Sequence, residues 1–136
     1  MCGILFVLNP KSDVTFNDRL EELVPRGPDE TNYVISDDFI AGHTRNCITS
    51  PMKGKQPIED NRWVIVHNGE IYNRSDLNKS DSFVILDMLQ KHGPIDAPKY
   101  LDGIFAYVAY DTITKRMYAA RDPVGVIPLY LGLELD

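Results

Sequence analysis

The second residue of the chain is a cysteine, and this position offers chemistry that an internal cysteine lacks. Cys2 directly follows Met1, and a small second residue normally permits removal of the initiator methionine. Cys2 would then carry a free α-amine, and an α-amine titrates close enough to neutral pH to take a thiol proton and return it to a leaving amine. Position alone fits an N-terminal nucleophile or, more simply, a cysteine that begins a buried strand.

Three further positions carry polar groups that could serve a site, although each also has an ordinary structural explanation. Asn68-Gly69 follows the strongest apolar run, and this dipeptide favours a tight hairpin turn. Arg45 fits an exposed surface arginine, and Asp81 lies where the N-cap of a helix is expected. Residue type and spacing leave these alternatives open.

The composition is that of one acidic globular domain. The 136 residues are 43% apolar, and 14 Lys and Arg oppose 20 Asp and Glu, which gives a net charge of −6. That charge argues against nucleic acid or an anionic membrane as a partner, because both bind through basic surfaces. No apolar run approaches the ~20 residues of a membrane span, no secretory signal is apparent, and two cysteines are too few for a disulfide framework. Together these features predict a cytoplasmic protein.

The elements that must position the polar residues are many short strands and few helices. Short apolar runs between turn residues predict strands at Ile4–Leu8, Tyr33–Ser36, Phe39–His43, Trp63–His67, Leu101–Asp111, Arg116–Arg121 and Pro128–Leu133. Helical spacing of apolar residues predicts helices at Thr15–Val24 and Ser80–His92, and a long loop is expected over Asn46–Asn61. Thr15 with Asp18 is typical of a capping box at the first helix. The pattern predicts an α+β domain with largely antiparallel strands.

Several segments, taken together and in order, resemble the class II glutamine amidotransferases, a branch of the N-terminal nucleophile hydrolases. The likeness is greatest to the glutaminase domain of glutamine-hydrolysing asparagine synthetases. The matching segments are Met1-Cys2-Gly3-Ile4, Arg26-Gly27-Pro28-Asp29, Gly42-His43-Thr44-Arg45, Gln56-Pro57, His67-Asn68-Gly69-Glu70-Ile71-Tyr72-Asn73, Ser80-Asp81-Ser82, Leu101-Asp102-Gly103-Ile104-Phe105-Ala106 and Arg121-Asp122-Pro123-Val124-Gly125 with Pro128-Leu129-Tyr130.

The resemblance implies a four-layer αββα sandwich of two antiparallel sheets. A shortened form is expected, because the family carries a longer helix and strand where this chain has only Arg74–Lys79. The implied reaction is hydrolysis of L-glutamine to glutamate and ammonia through a γ-glutamyl thioester on Cys2, once Met1 has been removed. Asn68 and Gly69 would supply the oxyanion hole, through a side-chain amide and a backbone N–H.

The resemblance also implies how glutamine would be held. Arg45 would bind the α-carboxylate, which suits the bidentate guanidinium fork, and Glu70 and Asp81 would recognise the α-amine. The segment after Arg45 would line the pocket through Asn46, Cys47, Ile48 and Thr49. No cofactor is implied. His43, Cys47 and His67 lack the spacing of a zinc site, so no metal is expected.

Residues 1–136 are expected to form the glutaminase domain alone, without a synthetase domain. Three alternatives stay open for the ammonia: delivery to an ATP-dependent synthetase subunit or domain in trans, as in asparagine biosynthesis, free release, or excision of this chain from a longer polypeptide. Two alternatives remain: a glutamine-binding or regulatory module on the same fold without turnover, and the same nucleophile acting on another amide. Phe83, which stands where the family commonly has glutamate, favours the first of these alternatives.

Overall fold

The computed structural model describes residues 1–47 and 54–133, and within these ranges the chain forms seven strands and two α-helices. Ile48 and Thr49 lie outside the described residues. The elements in chain order are β1 (Gly3–Leu8), α1 (Asp13–Glu21), β2 (Glu30–Ile35), β3 (Phe39–Arg45), β4 (Ile58–Glu59), β5 (Trp63–Ile71), α2 (Ser82–Asp96), β6 (Gly103–Asp111) and β7 (Arg116–Arg121). Short 3₁₀ turns at Val24–Arg26 and Ala97–Tyr100 follow the two helices.

The strands form two antiparallel sheets that pack face to face between the helices. One sheet has the order β1-β3-β2 and the other the order β4-β5-β6-β7. The core between the sheets is apolar and comprises Phe39, Ala41, Val64, Val66, Val108 and Tyr110. Helix α1 packs on the first sheet through Phe16 and Leu20, and α2 packs on the second through Ile85 and Leu89. This order of layers confirms the αββα sandwich.

Most of the predicted strands are present, but the last one is not. Residues 128–133 form no helix or strand, although the apolar run Pro128–Leu133 predicted one. Tyr130, Leu131 and Leu133 are each more than 80% exposed, so the run neither pairs with β7 nor joins the core. A strand requires a neighbouring strand, and apolar composition alone does not provide it. No helix in the described part of the chain is long and apolar enough to span a membrane.

The predicted helix starts differ from the observed ones. Helix α1 begins at Asp13 with Ser12 at the N-cap, so the capping box assigned to Thr15 and Asp18 is wrong. Helix α2 begins at Ser82, and its backbone is interrupted at Gly93, where the sequence predicted the helix to end. Its buried side contains Ile85, Leu86 and Leu89.

Asn68-Gly69 is not a turn. β5 continues through both residues to Ile71, and they pair with Ala106 and Phe105 of β6. A ladder of nine consecutive pairs between β5 and β6 outweighs the local preference of the dipeptide for a hairpin. Asn68 is thereby held inside a rigid central strand.

Candidate active site

Cys2 is positioned by the residue that follows it. Gly3 begins β1 opposite Thr44 of β3, and its N–H donates to the Thr44 hydroxyl oxygen at 3.1 Å. That hydroxyl in turn donates to the carbonyl of Leu23 at 3.0 Å. A Cβ on Gly3 would lie 2.5 Å from the Thr44 oxygen, so a glycine is needed for this close approach. Cys2 consequently lies at the edge of the three-stranded sheet, half-buried, with Met1 exposed before it.

Two contacts hold Cys2 itself. The backbone N–H of Asn46 donates to the Cys2 Sγ at 3.4 Å, and Arg26 Nε donates to the Cys2 carbonyl at 3.4 Å. Arg26 belongs to the 3₁₀ turn after α1, and Asn46 directly follows β3. The sulfur is therefore anchored by a segment that is adjacent to Arg45.

Asn68 and Gly69 lie on the opposite sheet and face the same space. The Asn68 side chain is buried, and its Oδ1 has no hydrogen-bond partner among the residues that the structure describes. Gly69 has a φ of +125°, and a Cβ there would lie 2.0 Å from the carbonyl oxygen of Ile104. Only glycine fits this conformation and this close backbone contact.

Arg45 is not a surface arginine. It ends β3, is only 8% exposed, and pairs with Glu30 of β2 at 3.4 Å between Nη1 and Oε2. The two residues are also direct neighbours in the β2–β3 register. A cation buried this far needs a partner, and Glu30 supplies one while fixing the direction of the guanidinium.

Asp81 makes no side-chain cap for α2, although it lies at the N-cap position. Its Oδ2 instead accepts the backbone N–H of Ile71 at 2.8 Å, and its Oδ1 accepts the Ser80 hydroxyl at 3.4 Å. The carboxylate therefore faces β5 and the cleft. Glu70, on β5, is exposed at the rim of the same cleft.

Cys47 is held by the loop that follows α1. Its N–H donates to Asp29 Oδ2 at 2.6 Å, and the Asp29 N–H donates to the Arg45 carbonyl at 3.0 Å. The segment Arg26–Asp29 therefore contacts both cysteines at the entrance to the cleft, Cys2 through Arg26 and Cys47 through Asp29.

Four buried polar residues near the cleft were given no site role by the sequence: His43, Gln56, His67 and Ser82. Burial, followed by the neighbouring His67 and Arg45, lowers the pKa of His43 to about 4, and neither of its ring nitrogens has a partner in the described structure. Burial also lowers the pKa of His67, against the opposing charge of Asp81. Both imidazoles are therefore neutral near pH 7. No group of three metal-ligating side chains occurs in the described part of the chain.

These residues enclose one cleft of about 540 Å³, a size that suits a small-molecule ligand. It lies where β1, β3, β5 and the start of α2 converge. Of the residues that the sequence predicted for the site, the cleft brings together Cys2, Arg45, Asn46, Cys47, Asn68, Gly69, Glu70 and Asp81. His43, Gln56, His67 and Ser82 also line it. The combination joins a thiol, a guanidinium, two carboxylates and amide donors around a single space.

Comparison with known proteins places the chain in a family. A family profile described as a glutamine amidotransferase domain matches residues 1–135. The chain is 38% identical to a glutamine-hydrolyzing asparagine synthetase of Asparagus officinalis and 37% identical to one of Saccharomyces cerevisiae, with 100% and 97% of the chain covered. A probable enzyme of the same name from Schizosaccharomyces pombe is 36% identical over the whole chain.

The chain spans about a quarter of the length of these curated relatives, 26% to 28%. The first alignment covers 153 positions against the 136 residues of the chain, so that relative carries additional residues within the matched region.

Proposed function

Since the chain belongs to the glutamine amidotransferase domain family, we propose that it hydrolyses L-glutamine to glutamate and ammonia. The observation that carries this proposal is that Cys2, Arg45 and the Asn68-Gly69 pair line one cleft although they lie far apart in the sequence. The names of the relatives specify glutamine hydrolysis, and they support the same reaction for this chain.

Cys2 acts as the nucleophile after Met1 is removed. Its α-amine takes the thiol proton, and the sulfur attacks the side-chain carboxamide carbon of glutamine. The tetrahedral oxyanion collapses with cleavage of the C–N bond, and the α-ammonium returns the proton to the leaving nitrogen. Ammonia departs and a γ-glutamyl thioester remains. Water, deprotonated by the same amine, then releases glutamate and regenerates the thiol.

The oxyanion is stabilised by the Asn68 side-chain amide and the Gly69 N–H. The buried position of Asn68 in β5 supports this assignment, because donors held rigidly before reaction need no reorganisation in the transition state. The positive φ of Gly69 adds support, since glycine adopts this conformation without strain and lets the backbone there approach a ligand closely.

Glutamine is recognised as an α-amino acid. Arg45 binds its α-carboxylate and Glu70 and Asp81 bind its α-amine, so that opposite charges meet at both ends of the same group. Asn46 and Cys47 line the pocket from the segment after β3. The ion pair of Arg45 with Glu30 supports the assignment, because it orients the guanidinium within the cleft.

The ammonia is consumed by an ATP-dependent synthetase. Residues 1–136 constitute a glutaminase domain, and a synthetase domain or subunit receives its product. Support comes from the relatives, which carry asparagine synthetase in their names and are roughly four times as long as this chain. Asparagine formation is the reaction that those names indicate.

The glutaminase function is tested by measuring the intact mass of the protein and its release of ammonia on the same preparation. Protein freed of Met1 by methionine aminopeptidase should release ammonia from glutamine and, when quenched during turnover, gain the mass of a γ-glutamyl group on Cys2. Protein that retains Met1 and processed Cys2→Ala should do neither. Equal ammonia release from processed wild type and Cys2→Ala would refute the proposal, as would glutamine binding without any turnover.

A further inference from the structure

One edge of β5 is completed by side chains where no strand of the described residues pairs with it. β4 pairs with β5 only at Ile65 and Val64. Beyond that point, the N–H of His67 donates to Gln56 Oε1 at 2.6 Å, and the N–H of Ile71 donates to Asp81 Oδ2 at 2.8 Å. Side-chain oxygens thus replace the backbone carbonyls that an adjacent strand would provide.

Gly69 lies between these two donors in the strand. Backbone N–H groups of alternate residues in a strand belong to the same edge, so the N–H groups of His67, Gly69 and Ile71 share this edge. Gln56 and Asp81 therefore bracket the Gly69 N–H, and they fix the strand on either side of it. The side chain of Asn68 lies on the same face of β5 as Val64 and Val66, and it therefore points into the space between the two sheets.

Gln56 is itself held by two buried partners. Its Nε2 donates to Ser82 Oγ at 3.3 Å, and Ser82 Oγ lies 2.9 Å from His67 Nδ1. All three side chains are at most 5% exposed and all three line the cleft. The three residues form a closed ring that joins the segment before β4, the middle of β5 and the first turn of α2.

We infer that Gln56, Ser82 and His67 are positioning residues that set the Asn68 and Gly69 donors for the oxyanion. This inference rests on the proposed glutaminase function and deepens it. An oxyanion hole is effective only if its donors are already at the position where charge develops, and an error near 1 Å can cost about 100-fold in rate. The Gln56 acceptor fixes the backbone directly before Asn68 and leaves the binding groups Arg45 and Glu70 untouched.

The ring should consequently act on turnover rather than on substrate binding. Loss of the Gln56 acceptor leaves the buried His67 N–H unsatisfied and lets this part of β5 shift. The oxyanion exists only in the transition state, so such a shift lowers kcat, whereas ground-state binding of glutamine through its α-groups changes little. A residue needed only for folding would not separate the two parameters in this way.

The experiment compares three variants of the Met1-processed chain. Gln56→Met removes the acceptor and keeps the size of the side chain, and Gln56→Glu keeps an oxygen for the His67 N–H. Gln90→Met is the matched control, because Gln90 lies on α2 and contacts Asp60 on the surface. We expect Gln56→Met to lower kcat about 10- to 100-fold with KM within about twofold. Gln56→Glu should recover most of kcat, and Gln90→Met should match the wild type.

Hydrogen–deuterium exchange reports on the same ring without requiring activity. Amide exchange across residues 66–72 should accelerate in Gln56→Met but not in Gln56→Glu or Gln90→Met. Unchanged exchange, an unchanged kcat, or a Gln56→Glu as slow as Gln56→Met would each overturn the positioning role. An inactive processed wild type would overturn the glutaminase function and the positioning role together, so the two failures are distinguishable.

Discussion

The backbone N–H of Asn46 lies 3.4 Å from the Sγ of Cys2, although the two residues are 44 positions apart. The contact joins the residue after β3 to the residue before β1. Because Asn46 directly follows Arg45, the sulfur and the guanidinium are held by one short segment. In the proposed function, the nucleophile and the group that binds the α-carboxylate therefore keep a fixed separation, which selects the length of the amide substrate.

Arg45→Lys tests this separation. Lysine keeps the positive charge but loses the planar fork, so a bidentate contact with the α-carboxylate becomes a single one. We expect the KM for glutamine to rise about 10-fold or more, which corresponds to the loss of one charge-assisted hydrogen bond, with a smaller change in kcat.

The matched control is Arg62→Lys. Arg62 makes a two-point contact with the buried Asp111, at 3.1 Å and 2.7 Å, away from the cleft. It should lower the melting temperature without altering the KM. If both variants changed KM equally, or if Arg45→Lys left it unchanged, the assignment of Arg45 would be wrong.

Asp81→Asn and Asp81→Ala separate the contribution of the Asp81 carboxylate to glutamine binding from its contribution to the stability of the fold. Asparagine keeps an oxygen that can accept the Ile71 N–H but loses the charge that attracts an α-ammonium group. We expect Asp81→Asn to raise KM about 10-fold with little effect on stability, and Asp81→Ala to raise KM and also lower stability. Steady-state kinetics and thermal unfolding of both variants provide the measurement. An Asp81→Asn variant with the wild-type KM would leave Asp81 with only its contact to β5.

The sequence predicted the layers of the fold better than the local features near the site. Strand β1 was predictable because Ile4–Leu8 is apolar and ends at Asn9-Pro10, although it is an edge strand and only partly buried. The predicted strand end at His67 was wrong, and the hairpin alternative for Asn68-Gly69 is excluded, because pairing with β6 is a long-range contact that a dipeptide does not encode. The site residues, by contrast, were nominated by resemblance, and the structure gathers those that it describes around one cleft.

The buried ring of Gln56, His67 and Ser82 illustrates what could not be predicted. Its hydrogen bonds depend on where β4 stops and where α2 starts, and neither boundary can be read from residue types. Gln56-Pro57 and Ser80-Asp81-Ser82 were noted as matching segments, and that was the available signal. Nothing in the sequence pattern showed that Gln56 would complete the edge of a strand.

Gly69→Ala should damage both stability and activity. The new Cβ would lie 2.0 Å from the Ile104 carbonyl oxygen, and alanine disfavours a φ of +125°. To relieve this clash, β5 must move away from β6. We therefore expect the free energy of unfolding to fall by about 2 kcal/mol or more, together with a fall in kcat.

Gly132→Ala is the control for that change, because a Cβ there meets no atom within 4 Å. Chemical denaturation should show wild-type stability for Gly132→Ala. A Gly69→Ala variant equally stable and equally active would contradict the tight β5–β6 contact.

The stability of the domain should fall in mild acid because of its buried histidines. Burial lowers the pKa of His43 from 6.5 to about 4, so between these pH values the unfolded chain binds a proton that the folded chain does not. The free energy of unfolding is therefore highest above pH 6.5 and decreases as the pH falls toward 4, with His43 contributing about 3 kcal/mol to the decrease. His67, whose pKa burial also lowers, should steepen the same slope. The measurement is the pH dependence of urea unfolding for the wild type, His43→Gln and the exposed-site control His92→Gln. The dependence of the free energy of unfolding on pH should become weaker only in His43→Gln. The same dependence in all three proteins would show that His43 is protonated freely in the folded chain.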